Sequence, residues 1–304
     1  MSLDIPEILE LPNSTEDELR NLFHEKGWGD GLPMIAPTRH RVEEMLRACE
    51  SHDPDEVIAI LPPRSGIATR RIIAINAVMA GCKPEHLPVL VSAIRALNAP
   101  EINLRGINAT THCVAPLLIV HGKAVKDGNY NSGLGAFGPG NPANATTGRA
   151  IRLMLHHIAG AIPGVGDAST QGSPAKYSYC VAENLDSSPW GGYARSEGID
   201  AESAVTIHCG EAPHNVHDME SSEPSLILDK VASAMTSWGQ NNAPISQGEY
   251  FLALCPEHAA TCAQNGWGRH DIASYVFNKA TVNVGEARGA FELRAWAPWQ
   301  NALK

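Results

Sequence analysis

Short apolar runs alternate along this chain with segments of helical periodicity, and that alternation restricts the fold more than any other feature. The runs at 57–61, 116–120, 177–182, 204–208 and 250–254 are too short for helices and predict strands. Between them lie helical patterns. Residues 14–27 offer Ser14 or Thr15 as N-cap, with Asp17 or Glu18 to complete a capping box. Residues 39–50, 69–80, 84–97, 226–238, 257–265 and 271–279 read as further helices. A helix over 146–160 buries Ile151, Met154, Leu155 and Ile158 at i, i+3, i+4 and i+7 spacing. The class predicted is α/β, with mixed or mainly parallel sheets flanked by helices and two or more sub-domains. Residues 1–110 form a largely helical region with one short strand, and 111–304 an α/β region carrying the chemistry.

Composition narrows the function classes. Hydrophobic residues make up 43% and charged residues 18%, a globular balance. No apolar run reaches the roughly 18 residues that span a bilayer. A net charge of −10 argues against nucleic acid as partner, since such a surface repels phosphates. The acidic start, MSLDIPEILELPNSTEDEL, lacks a basic-then-apolar leader, so the expected location is cytoplasmic. Seven cysteines without a CxxC pair fit reduced thiols, and thirteen histidines leave room for a metal.

Four segments concentrate chemistry. GLGAFGPGNPANATTGR, residues 133–149, formally contains G-x-G-x-x-G, but Pro139 and Pro142 intervene before the helix and no acidic residue follows at the dinucleotide offset. It reads instead as an anion cradle of Gly138, Gly140, Asn141, Asn144, Thr146 and Thr147, with Arg149 as a two-pronged clamp in the first helical turn. The competing reading is a structural turn capped by Thr146. YSYCVAEN sets Cys180, Glu183 and Asn184 at a strand end, where α/β proteins hold their sites; Cys180 is equally readable as a small core residue. TIHCGEAPHNVH crowds His208, Cys209, Glu211, His214 and His217 after a strand, a composition suited to metal ligation or acid–base work. ATTHCVAP places His112 and Cys113 before a buried strand.

These segments combine into catalytic residues Cys180, Glu183 and His214, substrate contacts from the glycine-rich cradle and Asn184, and metal ligands among His112, Cys113, Cys180, His208 and His214. The metal would be zinc or iron. Alternatively Cys113, Cys180 and Cys255, each beside a strand-like run, would hold an iron–sulfur cluster with one iron open to substrate. Ser173-Pro-Ala-Lys176 fits S-x-x-K, but a strand-like run follows it where the serine enzymes need a helix.

Several words taken together, GWGDGLPMIAPT, LPPRSGIATRRIIAINAVMAGCKPEHLPV, GPGNPANATTGRAIRLML, KYSYCVAEN, GEAPHNV and PEHAATCAQNGW, resemble the N-terminal region of the bacterial UGSC-like (seleno)protein family. The Sec- or Cys-Gly-Ser-Cys motif behind that label is missing here. The resemblance implies a further domain in longer relatives, and hence a separate second subunit that completes the site here; a homo-oligomer is the other partner expected. It implies no particular reaction. The residues themselves point to an enzyme acting on a small anionic, carboxylate-type substrate by addition–elimination, because acid, base and anion clamp occur without a nucleotide fingerprint. A thiol-based oxidoreductase using Cys180 or Cys209, and a non-catalytic subunit, are the alternatives.

Overall fold

The computed structural model describes residues 9–11, 14–49, 53–237, 240 and 248–282. It divides into two compact units, Met1–Glu183 with Gly198–Ala212, and Asn184–Glu197 with Pro213–Lys304. The boundary near residue 110 expected from sequence falls inside the first unit.

In the first unit, α1 (Glu16–Glu25) starts at Thr15. Glu18 accepts the Thr15 N–H at 2.7 Å while the Thr15 hydroxyl accepts the Glu18 N–H, the reciprocal cap the sequence predicts. Helix α2 (Arg39–Leu46) follows, capped by Thr38. Strands β1 (Val57–Leu61) and β2 (Gly66–Thr69) pair as an antiparallel hairpin; β2 is too short to stand out in the sequence. Thr69 ends β2 and caps α3 (Arg70–Ala80). A single 3-10 turn, Pro84–His86, then leads into α4 (Leu87–Leu97). After α5 (Leu104–Ala109) come β3 (Ala115–Gly122), α6 (Lys123–Asp127), α7 (Pro142–Met154), β4 (Cys180–Ala182) and β5 (Ser203–Gly210).

Strands β4, β3 and β5 form a mixed sheet in that order, β3 parallel to β4 and antiparallel to β5. The protein is therefore α/β. Leu118 lies beside Cys180 on one side and Ile207 on the other, so the even-numbered face of β3 is shared by Leu118, Val120, Cys180, Ala182, Val205 and Ile207. That face joins the main core with Ile73, Leu90, Ile94, Ile151 and Met154 from α3, α4 and α7. The opposite face, with Leu117, Ile119, His121 and Val181, is buried as well. Each large aliphatic side chain so buried contributes about 1.5–3 kcal/mol. A sheet apolar on both faces explains why 116–120 reads as a continuous apolar run rather than an alternating one.

The second unit contains α8 (Tyr193–Ser196), α9 (Pro224–Met235), α10 (Pro256–Gln264) and α11 (Arg269–Lys279). Leu228, Val231, Cys262, Ile272 and Val276 make its core, with Trp190, Trp267 and Tyr275 packed around them. Residues 250–254, expected as a strand, are irregular: among the described residues no neighbouring strand takes up their backbone groups. Among the described residues no helix is long and apolar enough to cross a membrane.

Candidate functional site: an imidazole between a carboxylate and a hydroxyl

The C-terminal ends of the parallel pair β3 and β4 carry a buried polar arrangement. His121 is the penultimate residue of β3. The Glu183 N–H donates to the Val120 carbonyl at 2.9 Å, extending the β4 pairing by one residue and fixing that backbone next to His121. The His121 Nδ1 lies 2.7 Å from Glu183 Oε2, and its Nε2 lies 2.9 Å from Thr206 Oγ1. The imidazole is almost fully enclosed, with side-chain exposure of 4% against 15% for Glu183.

Local sequence produces this geometry. Ala204, across the ladder from His121, is small enough to leave the ring its space, and Thr206 is two residues further along the same face of β5. Gly122 closes the strand at φ 71°; a Cβ there would stand 2.1 Å from the Glu202 carbonyl oxygen. Only glycine lets β3 end so near the start of β5. The Lys123 N–H then donates to Glu202 O at 2.8 Å, and the Ala124 N–H to Ser203 Oγ at 3.0 Å.

The chemistry follows from what each group can do. A carboxylate only accepts, so Glu183 selects the imidazole tautomer with its proton on Nδ1. The Nε2 lone pair then receives the Thr206 hydroxyl proton. A base held in one tautomer by a carboxylate, against a partly buried hydroxyl, is the orienter–base–hydroxyl order that acid–base and nucleophilic catalysis share.

At the other end of the sheet a second group assembles. Ala115 and His121 are six residues apart, roughly 20 Å at about 3.3 Å per residue. Just before Ala115, His112 and Cys113 meet Glu211, which follows β5. Their ligand atoms all lie within 4.8 Å of one another. His112 Nε2 is 2.6 Å from Glu211 Oε1.

Other residues proposed from the sequence are placed differently. Arg149 lies beyond the first turn, because the helix begins at Pro142 with Asn141 as its N-cap; the Pro at N1 and the Asn141 side chain, accepting from the Asn144 N–H at 3.0 Å, take the role assigned to Thr146. Arg149, expected as a substrate clamp, is turned to the fold in this structure. Its Nε and Nη2 donate to the two oxygens of Asp30 at 2.7 and 2.8 Å, and Nη2 also reaches the Leu32 carbonyl. The cradle residues serve the loop itself. Asn144 holds Asn131 and Ala136, Thr147 bonds the Tyr130 hydroxyl, Thr146 returns its hydroxyl to Pro142 O, and the Gly138 N–H donates to Gly135 O. Gly140 adopts φ 113° as the loop turns into the helix.

Cys180 points into the main core, on the face opposite Glu183, so the two do not form a catalytic pair. Burial pushes its thiol far above the ordinary range, and burial also raises Cys209 to about 12. Thiolate chemistry at either position is opposed by desolvation. His208 lies on β5 opposite Leu117. Asn184, His214 and Cys255 belong to the second unit. There Asn184 accepts from the Ser187 N–H at 3.2 Å, His214 is exposed, and Cys255 caps α10.

Two clusters escape the sequence reading. One is the His121 relay, whose signal is a lone histidine ending an apolar run just before glycine. The other is Asp167, which accepts from Lys176 at 2.8 and 2.9 Å and from Arg152 at 2.9 Å. Burial alone would raise its pKa, but hydrogen bonds from Lys176 and Ser169 hold it at about 2. Lys176 of the S-x-x-K match is thus an ion-pair partner, and Ser173 caps the 3-10 turn Pro174–Lys176.

Compared with protein-family models, curated proteins and solved structures, the chain finds no match.

Proposed function

We propose that the protein is an enzyme that moves a proton in an addition–elimination reaction on a small carboxylate-type substrate, with Glu183 and His121 as its acid–base pair. The observation that carries this reading is the Glu183–His121–Thr206 line of contacts at 2.7 and 2.9 Å, at the C-terminal ends of two parallel strands. In the eliminating direction the Thr206 hydroxyl takes a proton from the carbon beside the substrate carboxylate as it passes its own proton to His121 Nε2. The imidazolium, stabilised by Glu183, returns a proton through the same hydroxyl to the departing oxygen or nitrogen. The adding direction runs the same transfers backwards. The UGSC-like resemblance contributes no chemistry to this reading.

The test is proton exchange. The full chain is incubated in heavy water with a panel of hydroxy- and aminocarboxylates and their unsaturated counterparts, and exchange at the carbon next to the carboxylate is followed by NMR. Catalysed exchange that falls about 10²–10⁴-fold in Glu183→Gln, with the thermal midpoint kept, supports the assignment. Exchange that persists unchanged in Glu183→Gln and His121→Gln refutes it.

The Thr206 contact favours one second reading, acyl transfer with Thr206 as nucleophile. Mass spectrometry after an activated ester would then show an acyl group on Thr206. Absence of that group refutes this second reading, and exchange retained in Thr206→Val would show that the hydroxyl is not needed for proton transfer.

A further inference from the structure

We infer that His112, Cys113 and Glu211 form a binding site for a zinc-type divalent cation, separate from the His121 pair. Three donors of different kinds, an imidazole, a thiol and a carboxylate, come together from segments 99 residues apart, all within 4.8 Å. A surface histidine–glutamate ion pair needs no thiol beside it. The placement of Cys113 is what separates a ligand set from a pair.

The scaffold holds the donors before any cation arrives. The His112 N–H donates to Thr110 Oγ1 at 3.1 Å, and Ser169 Oγ donates to the His112 carbonyl at 2.8 Å. The Thr170 N–H donates to Thr111 O at 3.0 Å. On the other segment, Gly210 pairs with Ala115, which brings Glu211 to the Cys113 side of the sheet, and the Tyr179 hydroxyl donates to the Glu211 carbonyl at 3.1 Å. His208 leans the same way: its Nε2 lies 3.1 Å from where a Cβ on Gly210 would stand, so the missing side chain makes room for that ring.

Donor chemistry sets the cation class. Thiolate and imidazole select borderline-soft ions over magnesium or calcium. On a tetrahedral ion with bonds of about 2.0–2.3 Å, neighbouring ligand atoms sit roughly 3.3–3.8 Å apart. The His112–Glu211 contact of 2.6 Å has to open by about 1 Å to reach that spacing, a motion the 48% exposure of Glu211 permits, and the Cys113 sulfur lies within 4.8 Å of both. Binding releases the Cys113 thiol proton to solvent. The thiolate and the carboxylate together balance the dication. Three protein ligands leave the fourth position, on the solvent side, for water or a substrate oxygen, the pattern of catalytic rather than structural zinc.

The experiment is a cobalt(II) titration of the chelator-treated full chain. One cobalt per chain is expected, with a thiolate-to-metal band in the near ultraviolet and tetrahedral ligand-field bands in the visible. The near-ultraviolet band should vanish in Cys113→Ser and persist in Cys255→Ser, and affinity should fall at least tenfold in Glu211→Gln. Zinc should displace the cobalt. Unchanged thermal midpoints of the metal-free variants show that the fold is intact. A band that survives Cys113→Ser, or no stoichiometric cobalt in the wild type, overturns the site. Neither result depends on the His121 pair, since exchange activity is read separately.

Discussion

Replacing Asp30 by asparagine tests whether Arg149 is a tie within the fold or a hand held out to a ligand. In the structure Asp30 receives both guanidinium donors of Arg149, at 2.7 and 2.8 Å, and the Leu32 N–H at 3.0 Å. The two side chains are 8% and 13% exposed. Burial works against the Asp30 charge, yet the hydrogen bonds from Arg149 and Leu32 keep its carboxyl below the usual range. An asparagine in its place could accept only one of the two guanidinium bonds and carries no charge, so Arg149 would remain buried without its counter-ion, keeping that one bond and the Leu32 carbonyl. Breaking a buried pair from one side costs about 3–5 kcal/mol, and the partial exposure here places the cost at about 3 kcal/mol. For a unit of this size that is a drop in thermal midpoint of about 6–12 °C. Urea unfolding of Asp30→Asn, Arg149→Met and the double variant supplies the coupling, expected to be about 2 kcal/mol within the usual range of about 0.5–3 kcal/mol. Coupling below about 0.5 kcal/mol, with exchange activity lost only in Arg149→Met, would restore Arg149 to substrate binding and refute the reasoning.

Acid should weaken the first unit through Asp167. Its pKa of about 2 lies below the unfolded value of about 3.9. The stabilisation, about 2 kcal/mol, is therefore complete above pH about 4 and is lost as pH falls toward 2. Asp167→Asn should flatten that part of the stability–pH curve, and an unchanged slope would contradict the assignment. Gly122→Ala should destabilise by about 3 kcal/mol, since its Cβ would stand 2.1 Å from Glu202 O on a left-handed backbone. Circular dichroism melts check this, and a neutral outcome would mean that β5 is not held where described.

Much of the fold is legible in the sequence because its signals are local. Thr15 with Glu18 and Thr69 before α3 are caps whose partners sit within a few residues, and Pro84 opens the turn into α4. The strand around 116–120 announces itself by apolar content alone. The candidate site is not legible, because its partners are remote. Asp30 meets Arg149 across 119 residues, and Glu183 meets His121 across 62. The Asn and Thr side chains of 141–147 look ligand-facing in sequence, yet a glycine-rich loop needs such groups to tie its own backbone. Glu183 stands out for its place at a strand end, whereas its histidine looks like the mere close of an apolar run. The neighbouring pair His112 and Cys113 is visible as metal-ligand chemistry, but Glu211 as their companion depends on the β3–β5 register.

The central claim is a base held ready by its carboxylate, and a long-range proton–nitrogen NMR spectrum of the histidine rings addresses it directly at neutral pH. The account predicts that His121 carries its proton on Nδ1, with Nε2 in the lone-pair range and sensitive to Thr206→Val. A His121 ring protonated on Nε2 alone, with Nδ1 bare toward Glu183, would contradict it.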